Sequence, residues 1–167
     1  MTRPAADPPD EPRWLSADEQ RSWRAFIDGV RALVDVLDRE LQADGELSHA
    51  YYEVLVSLSE AEGRRLRMSE LAERTRSSRS RLSHAVSRLQ ERGWVRRVGV
   101  PNDKRGQIAE LTDEGFAVLA AAAPGHVTAV RRYLIDLLTP EQLVVLGQIG
   151  EAVLAATADT DLPPRRG

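Results

Sequence analysis

The sequence predicts a mainly α-helical chain interrupted by one small β-hairpin. Three observations carry that expectation. Apolar residues recur at three- and four-residue steps through most of the 167 residues, the period of helices with one buried side. Residues suited to capping helices, such as Ser16, Ser48, Ser69, Ser78, Thr112 and Thr139, stand ahead of the apolar runs. Only at WVRRVGV, PNDKRG and QIAEL does the pattern become two short β-type segments around a polar tip.

Taken in order, residues 1–13 hold four of the nine prolines, and a disordered arm is expected there. Ser16 with Glu19 forms a capping box for a helix over roughly 16–42. Trp23, Phe26, Ile27, Val30, Leu33, Val34, Leu37 and Leu41 share one side of it, and Asp44-Gly45 ends it. Ser48 opens a second helix to about Glu60, with Tyr52, Leu55, Val56 and Leu58 inward. Glu62-Gly63 is a turn. Ser69 is expected to cap a short third helix, SELAERT, with Leu71 and Ala72 inward. Ser78 caps a fourth, running to about Arg92 and closed by Gly93.

After the hairpin, Thr112 starts a fifth helix, expected to break or kink near Pro124-Gly125. Thr139-Pro140-Glu141 starts the last, with proline at a favourable first position. It should end near Thr157, leaving a fraying tail. The third and fourth helices, joined by a short turn, make a helix-turn-helix, and the hairpin that follows is a wing.

Composition narrows the chemistry. There is no cysteine, which excludes disulfides, thiolate nucleophiles and Cys-ligated metals. GxSxG, Walker, GxGxxG and HExxH motifs are absent, and His49, His84 and His126 stand far apart without ligand-spaced partners. A non-enzyme without cofactor or metal is expected. Without a long apolar run or a signal-like N-terminus, it should be cytoplasmic, with no membrane partner.

The charge distribution is the positive signal. Between Arg64 and Arg105 there are 13 Lys and Arg against 4 Asp and Glu, a local balance of +9 in a chain whose net charge is −3. The rest therefore carries −12, so a face suited to a polyanion sits on a body that repels one. Residues 77–97, SSRSRLSHAVSRLQERGWVRR, contain six arginines and five serines with one acid, Glu91. On a helical wheel Leu82, Ala85, Val86 and Leu89 form the core stripe of the fourth helix. Ser80, Arg81, Ser83, His84, Ser87 and Arg88 fall opposite. Arginine can contact guanine bidentately, and serine donates to base edges or phosphates without filling a groove. Ser78, Arg79, Ser80, Arg81, Ser83 and His84 should lie deepest in a DNA groove, with Arg88 and Arg92 at phosphates. Arg97 and, at the wing, Lys104 and Arg105 complete the expected DNA-binding set.

These residues also carry a resemblance. ELAERTRSSRSRLSHAVSRLQERGWVRR followed by NDKRGQIAELTDEG resembles the MarR family of winged-helix transcription regulators over residues about 67–116. The family's Asp-x-Arg wing and Leu-Thr-x-x-Gly helix start match Asp103, Arg105, Leu111, Thr112 and Gly115. The resemblance implies that Asp103 stabilises the wing, Arg105 enters a minor groove and Lys104 reaches a phosphate. It also implies a homodimer on double-stranded DNA at a pseudo-palindromic site, most often as a repressor. The expected organisation is an arm over 1–13, N-terminal helices over 14–62, a winged helix-turn-helix over 63–112, C-terminal dimerisation helices over 113–157 and a tail over 158–167. More apolar positions on the first helix and on 126–157 than a winged lobe can cover agree with pairing to a twin.

Two departures stand out. The turn often carries a glycine in that family and here reads Thr75-Arg76-Ser77, and His84 replaces a frequent arginine. Relatives often bind anionic aromatic compounds, and Trp23, His49 and Tyr52 are the candidate lining for a small aromatic ligand. The plainer reading makes them core or interface aromatics. Two rival functions stay open: an architectural DNA-binding protein without sequence preference, and a winged-helix protein-interaction module.

Overall fold

The computed structural model describes residues 12–45, 47–100 and 103–158, with the side chains of 44, 45, 100 and 103–105 outside that description. The expected N-terminal arm and C-terminal tail therefore lie almost entirely outside the described residues. Two compact units make up the chain, residues 1–32 and 33–167. The first holds the start of helix α1 (Ala17–Gly45). Its capping box forms as expected: Ser16 N–H donates to the Glu19 carboxylate at 2.7 Å, and Glu19 N–H donates to Ser16 Oγ at 3.2 Å. Trp14, Leu15, Trp23, Phe26 and Val30 are all exposed in this unit.

The second unit continues through α2 (His49–Ser59), a 3-10 turn at Glu62–Arg64, β1 (Arg65–Arg67), α3 (Met68–Arg74) and α4 (Arg79–Glu91). The chain then forms β2 (Val95–Val100), β3 (Asp103–Leu111), α5 (Asp113–Tyr133), a second 3-10 turn and α6 (Pro140–Thr157). The three strands make one antiparallel sheet in the order β1-β3-β2. Its core is a single apolar cluster. Leu55 and Leu58 of α2, Leu71 of α3, and Leu82, Val86 and Leu89 of α4 pack with Val95 and Ala109 of the sheet.

Several local expectations are corrected. β1 was not foreseen: Arg65, Leu66 and Arg67 pair with Glu110, Ala109 and Ile108. Ser69 does not cap α3, whose N-cap position is Arg67, with no side-chain cap. In α2, Val54 is buried where Val56 was expected, and Val56 is only partly covered. β3 already starts at Asp103, so much of the expected polar tip is strand. α5 runs through Pro124 as one helix. Leu119 and Ala129, on either side of the proline, are both buried, so packing outweighs the missing N–H.

Thr112 fastens the base of the hairpin to the end of α4. Its hydroxyl lies 2.7 Å from Gly93 O and accepts from Gly115 N–H at 3.0 Å, while its N–H donates to Trp94 O at 3.0 Å. Gly115 is required by closeness: a Cβ there would lie 2.1 Å from Trp94 O. α6, by contrast, has a capping box at Thr139 and Gln142 but no buried residue. Val144, Val145, Ile149 and Val153 on it are exposed.

Gly115→Ala should destabilise the protein by about 1–3 kcal/mol, because backbone rather than a mobile side chain blocks the methyl. Urea unfolding would check this, and an unchanged midpoint would refute the close approach.

Candidate nucleic-acid interface

The site grows from the way α4 is held. Ser78, in extended backbone at φ −62°, accepts from Arg81 N–H and starts the helix. At the other end Gly93, at φ 77°, donates to Gln90 O, and Trp94 N–H donates to Leu89 O. These two bonds satisfy carbonyls that a helix end would otherwise leave unpaired. Between the caps, Leu82, Val86 and Leu89 are buried and Ala85 is partly buried. Arg79, Ser80, Arg81, Ser83, His84 and Arg88 are therefore exposed on the remaining surface, as expected, with Ser87 at its edge.

Ion pairing sorts the arginines. Arg74 pairs with Glu70 at 3.2 Å, Arg88 with Glu91 at 2.8 Å and Arg96 with Glu110 at 2.7 Å. The last pair joins directly opposed residues of β2 and β3. Its hydrogen bond holds the Glu110 carboxyl below its usual value and pushes Arg96 up. Arg64 lies 3.9 Å from the Phe116 ring centre and 3.3 Å from Asp113. Among the described residues, Arg79 and Arg81 enter no ion pair. Their charge is uncompensated at the N-terminal end of α4. This end presents cations, hydroxyls and His84 together.

Arg97 is placed differently from the others. Its Nη2 donates toward Ser83 O at 2.7 Å, Ser87 Oγ at 3.0 Å and Ser83 Oγ at 3.3 Å. It is half-buried between β2 and α4. The backbone of Asp103, Lys104 and Arg105 belongs to β3, and their side chains lie outside the described residues.

The turn into α4 holds a left-handed residue that is not glycine. Arg76 adopts φ 47°, the left-handed conformation usually given to glycine. Arg76 N–H donates to Glu73 O and Ser77 N–H to Ala72 O, the same closure that Gly93 makes for α4. The turn is thus tightly bonded despite lacking glycine.

Of the three candidate pocket residues, the structure brings His49 and Tyr52 together with a residue not singled out for that role, His126. The His126 ring centre is 4.4 Å from that of Tyr52 and 5.8 Å from that of His49. The Nδ1 atom of His126 is buried without a hydrogen-bond partner among the described residues. Burial, with the neighbouring His49 ring, lowers its pKa. Trp23 is exposed in the first unit. Among the described residues no group of three or more metal-binding side chains gathers, and no helix is long and apolar enough to cross a membrane.

Known proteins share this arrangement. A model of the MarR family matches residues 46–106, the segment from the start of α2 to the wing. The crystal structure of Sco3205, a MarR family transcriptional regulator from Streptomyces coelicolor in complex with DNA, is 54% identical, with a TM-score of 0.88. That similarity covers 94% of this chain and 99% of the other. This chain belongs to the MarR family. The winged lobe and helical ends described above are thus the MarR fold, in a family of transcriptional regulators. Among curated MarR-type relatives, the regulator PecS of Dickeya dadantii is 38% identical over 61 residues, 36% of this chain and 34% of that one. The repressor YetL of Bacillus subtilis is 29% identical over 105 residues, 63% of each chain. The chain thus spans a third to just under two thirds of the length of these two relatives.

Two predictions follow from the local chemistry of this MarR chain. Replacing Arg76 by glycine should relieve the left-handed strain and leave stability unchanged or raised by up to about 1 kcal/mol, whereas Arg76→Val should lower it by about 1–2 kcal/mol. Denaturant midpoints of the two variants would show it, and the reverse order would contradict the strain. The fold also favours neutral His126. Its contribution to stability should be full above the ordinary imidazole value of 6.5 and should be lost as pH falls through the lower folded value. Stability measured from pH 7.5 to 5 should therefore drop more for wild type than for His126→Gln, and parallel curves would contradict that.

Proposed function

We propose that this MarR family chain acts as a homodimer that binds a pseudo-palindromic duplex site and represses transcription there. The observation that carries the reading is the outward face of α4, where Arg79 and Arg81 have no acidic partner among the described residues and stand beside Ser80, Ser83 and His84. A helix built only for solubility would alternate acids with these bases. In each protomer α4 would enter a major groove, with Arg79, Ser80, Arg81 and His84 toward base edges and Ser78 and Arg88 toward the backbone. The wing would follow the neighbouring minor groove with Arg105, where narrow A·T-rich segments concentrate negative potential, while Lys104 would reach a phosphate and Asp103 would hold the loop.

Dimerisation is supported by the apolar faces that the chain leaves uncovered. α6 buries nothing of its own, and the start of α1 exposes Trp23 and Phe26. A second copy supplies the simplest cover. Within this reading 14–62 and 113–157 contain the pairing helices, and 63–112 contains the DNA-binding lobe. Repression draws support from YetL, which is named as a repressor. The DNA complex of Sco3205 supports duplex binding. Release by a small aromatic acid would act through the His49, Tyr52 and His126 group. Benzoate displacing a bound duplex from wild type but not from Tyr52→Ala would support that part.

Duplexes selected by the protein from a randomised pool should contain two inverted half-sites about one helical turn apart, and light scattering should give twice the chain mass. Binding should weaken steeply with salt, with a log–log slope of about −0.9 for each phosphate neutralised. Arg81→Ala should cost roughly 1–3 kcal/mol, concentrated at one or two base positions. A monomer with salt-independent binding would contradict the reading. Equal affinity for selected and random duplexes would favour the architectural alternative.

A further inference from the structure

Arg97 lies within the cationic stretch and reads, from sequence, as one more contact to DNA. Its surroundings assign it other work. In β2, side chains alternate between the two faces of the sheet. Val95 is buried, Arg96 is exposed, and Arg97 returns to the face of Val95. Its partner across the ladder is Ala109, which is fully buried. The backbone therefore directs the Arg97 side chain inward, toward α4. There its Nη2 meets Ser83 O, Ser83 Oγ and Ser87 Oγ within 3.3 Å. Ser87 Oγ also donates to Ser83 O at 2.9 Å, so guanidinium and hydroxyl converge on one helix carbonyl. The Arg97 Nε is buried and finds no hydrogen-bond partner among the described residues. These features describe a side chain enclosed between two elements.

We propose that Arg97 is a positioning residue that ties the wing strand to α4 and so sets the angle between the two DNA-reading elements. The proposal rests on the reading that α4 and the wing enter adjacent grooves. Ser83 and Ser87 sit one helical turn apart, midway along α4, beside the exposed Ser80 and His84. A bond at that point restrains the helix where a small rotation would move every base-reading side chain. All three contacts fall to Nη2, whose N–H groups are fixed in the guanidinium plane, whereas a lysine ammonium ends one bond nearer the backbone and rotates freely, so it supplies the charge without the same directed restraint.

This role separates from phosphate binding by salt dependence. Wild type, Arg97→Lys, Arg97→Gln and Ser87→Ala would each be titrated, across a series of salt concentrations, against two fluorescent duplexes. One is the best sequence selected by wild type from a random pool, and the other is a random-sequence duplex of equal length. Circular dichroism melts would establish that each variant is folded at the assay temperature. The expected result is that both Arg97 variants lose about tenfold or more in preference for the selected duplex. The salt slope and the affinity for random DNA should stay within about twofold of wild type. Lysine should fail to rescue. Ser87→Ala should lose part of the preference alone and nothing further when combined with Arg97→Gln. If the Arg97 variants do not fold, the Ser87→Ala preference alone decides, and an unchanged preference overturns the proposal. A slope reduced by about 0.9 in Arg97→Gln, restored by lysine and equal on both duplexes, would make Arg97 a phosphate contact instead. A wild type that bound no duplex would sink the groove reading itself, an outcome distinct from failure of the Arg97 assignment.

Discussion

The burial of one stripe of α4 is the constraint on which the rest of the structure depends. Leu82, Val86 and Leu89 sit in the core with residues of α2, α3 and the sheet. Losing a buried leucine of this kind costs about 2–5 kcal/mol, a large share of the 5–15 kcal/mol that holds a domain together. The helix consequently has one rotation available. At 100° per residue, that rotation leaves Arg79, Ser80, Arg81 and His84 outside. The outward face is thus a product of packing: hydrophobic burial chooses the angle, and the polar residues take what remains.

Electrostatics then divides residues that composition treats alike. Arg74, Arg88 and Arg96 each meet a carboxylate, and Arg64 covers Phe116 while pairing with Asp113. These exposed pairs contribute little to stability. Their importance lies in what they leave out: Arg79 and Arg81 keep their charge available. Because the rest of the chain carries −12, attraction for a polyanion is confined largely to the segment from Arg64 to Arg105. That confinement would orient the protein before any base is read.

Much of this was readable in the sequence wherever a signal was local. Ser16, Ser78, Thr112 and Thr139 cap helices because each chain segment carries both the cap oxygen and the N–H it accepts. β1 was not readable, since three residues become a strand only by pairing with β3, some forty positions later. Pro124 gave a true local signal that packing of Leu119 and Ala129 overrode. The outward face of α4 followed from periodicity alone. Arg97 carries two signals at once: its charge places it in the expected DNA-binding set, and alternation from Val95 turns its side chain toward Ser83 and Ser87 of α4. His126 had no signal, because its neighbours Tyr52 and His49 lie on another helix more than seventy residues away.

The central claim is that the outward side of α4 occupies a major groove in two places on one duplex. Methylation interference at guanine N7, which lies in the major groove, tests it most directly on a duplex selected by the protein. Interference should fall in two clusters whose centres are about 10–10.5 base pairs apart, and Arg81→Ala should erase contacts in both clusters together. Tight binding that tolerated methylation at every guanine N7 in the site, or a single unpaired cluster, would contradict the account.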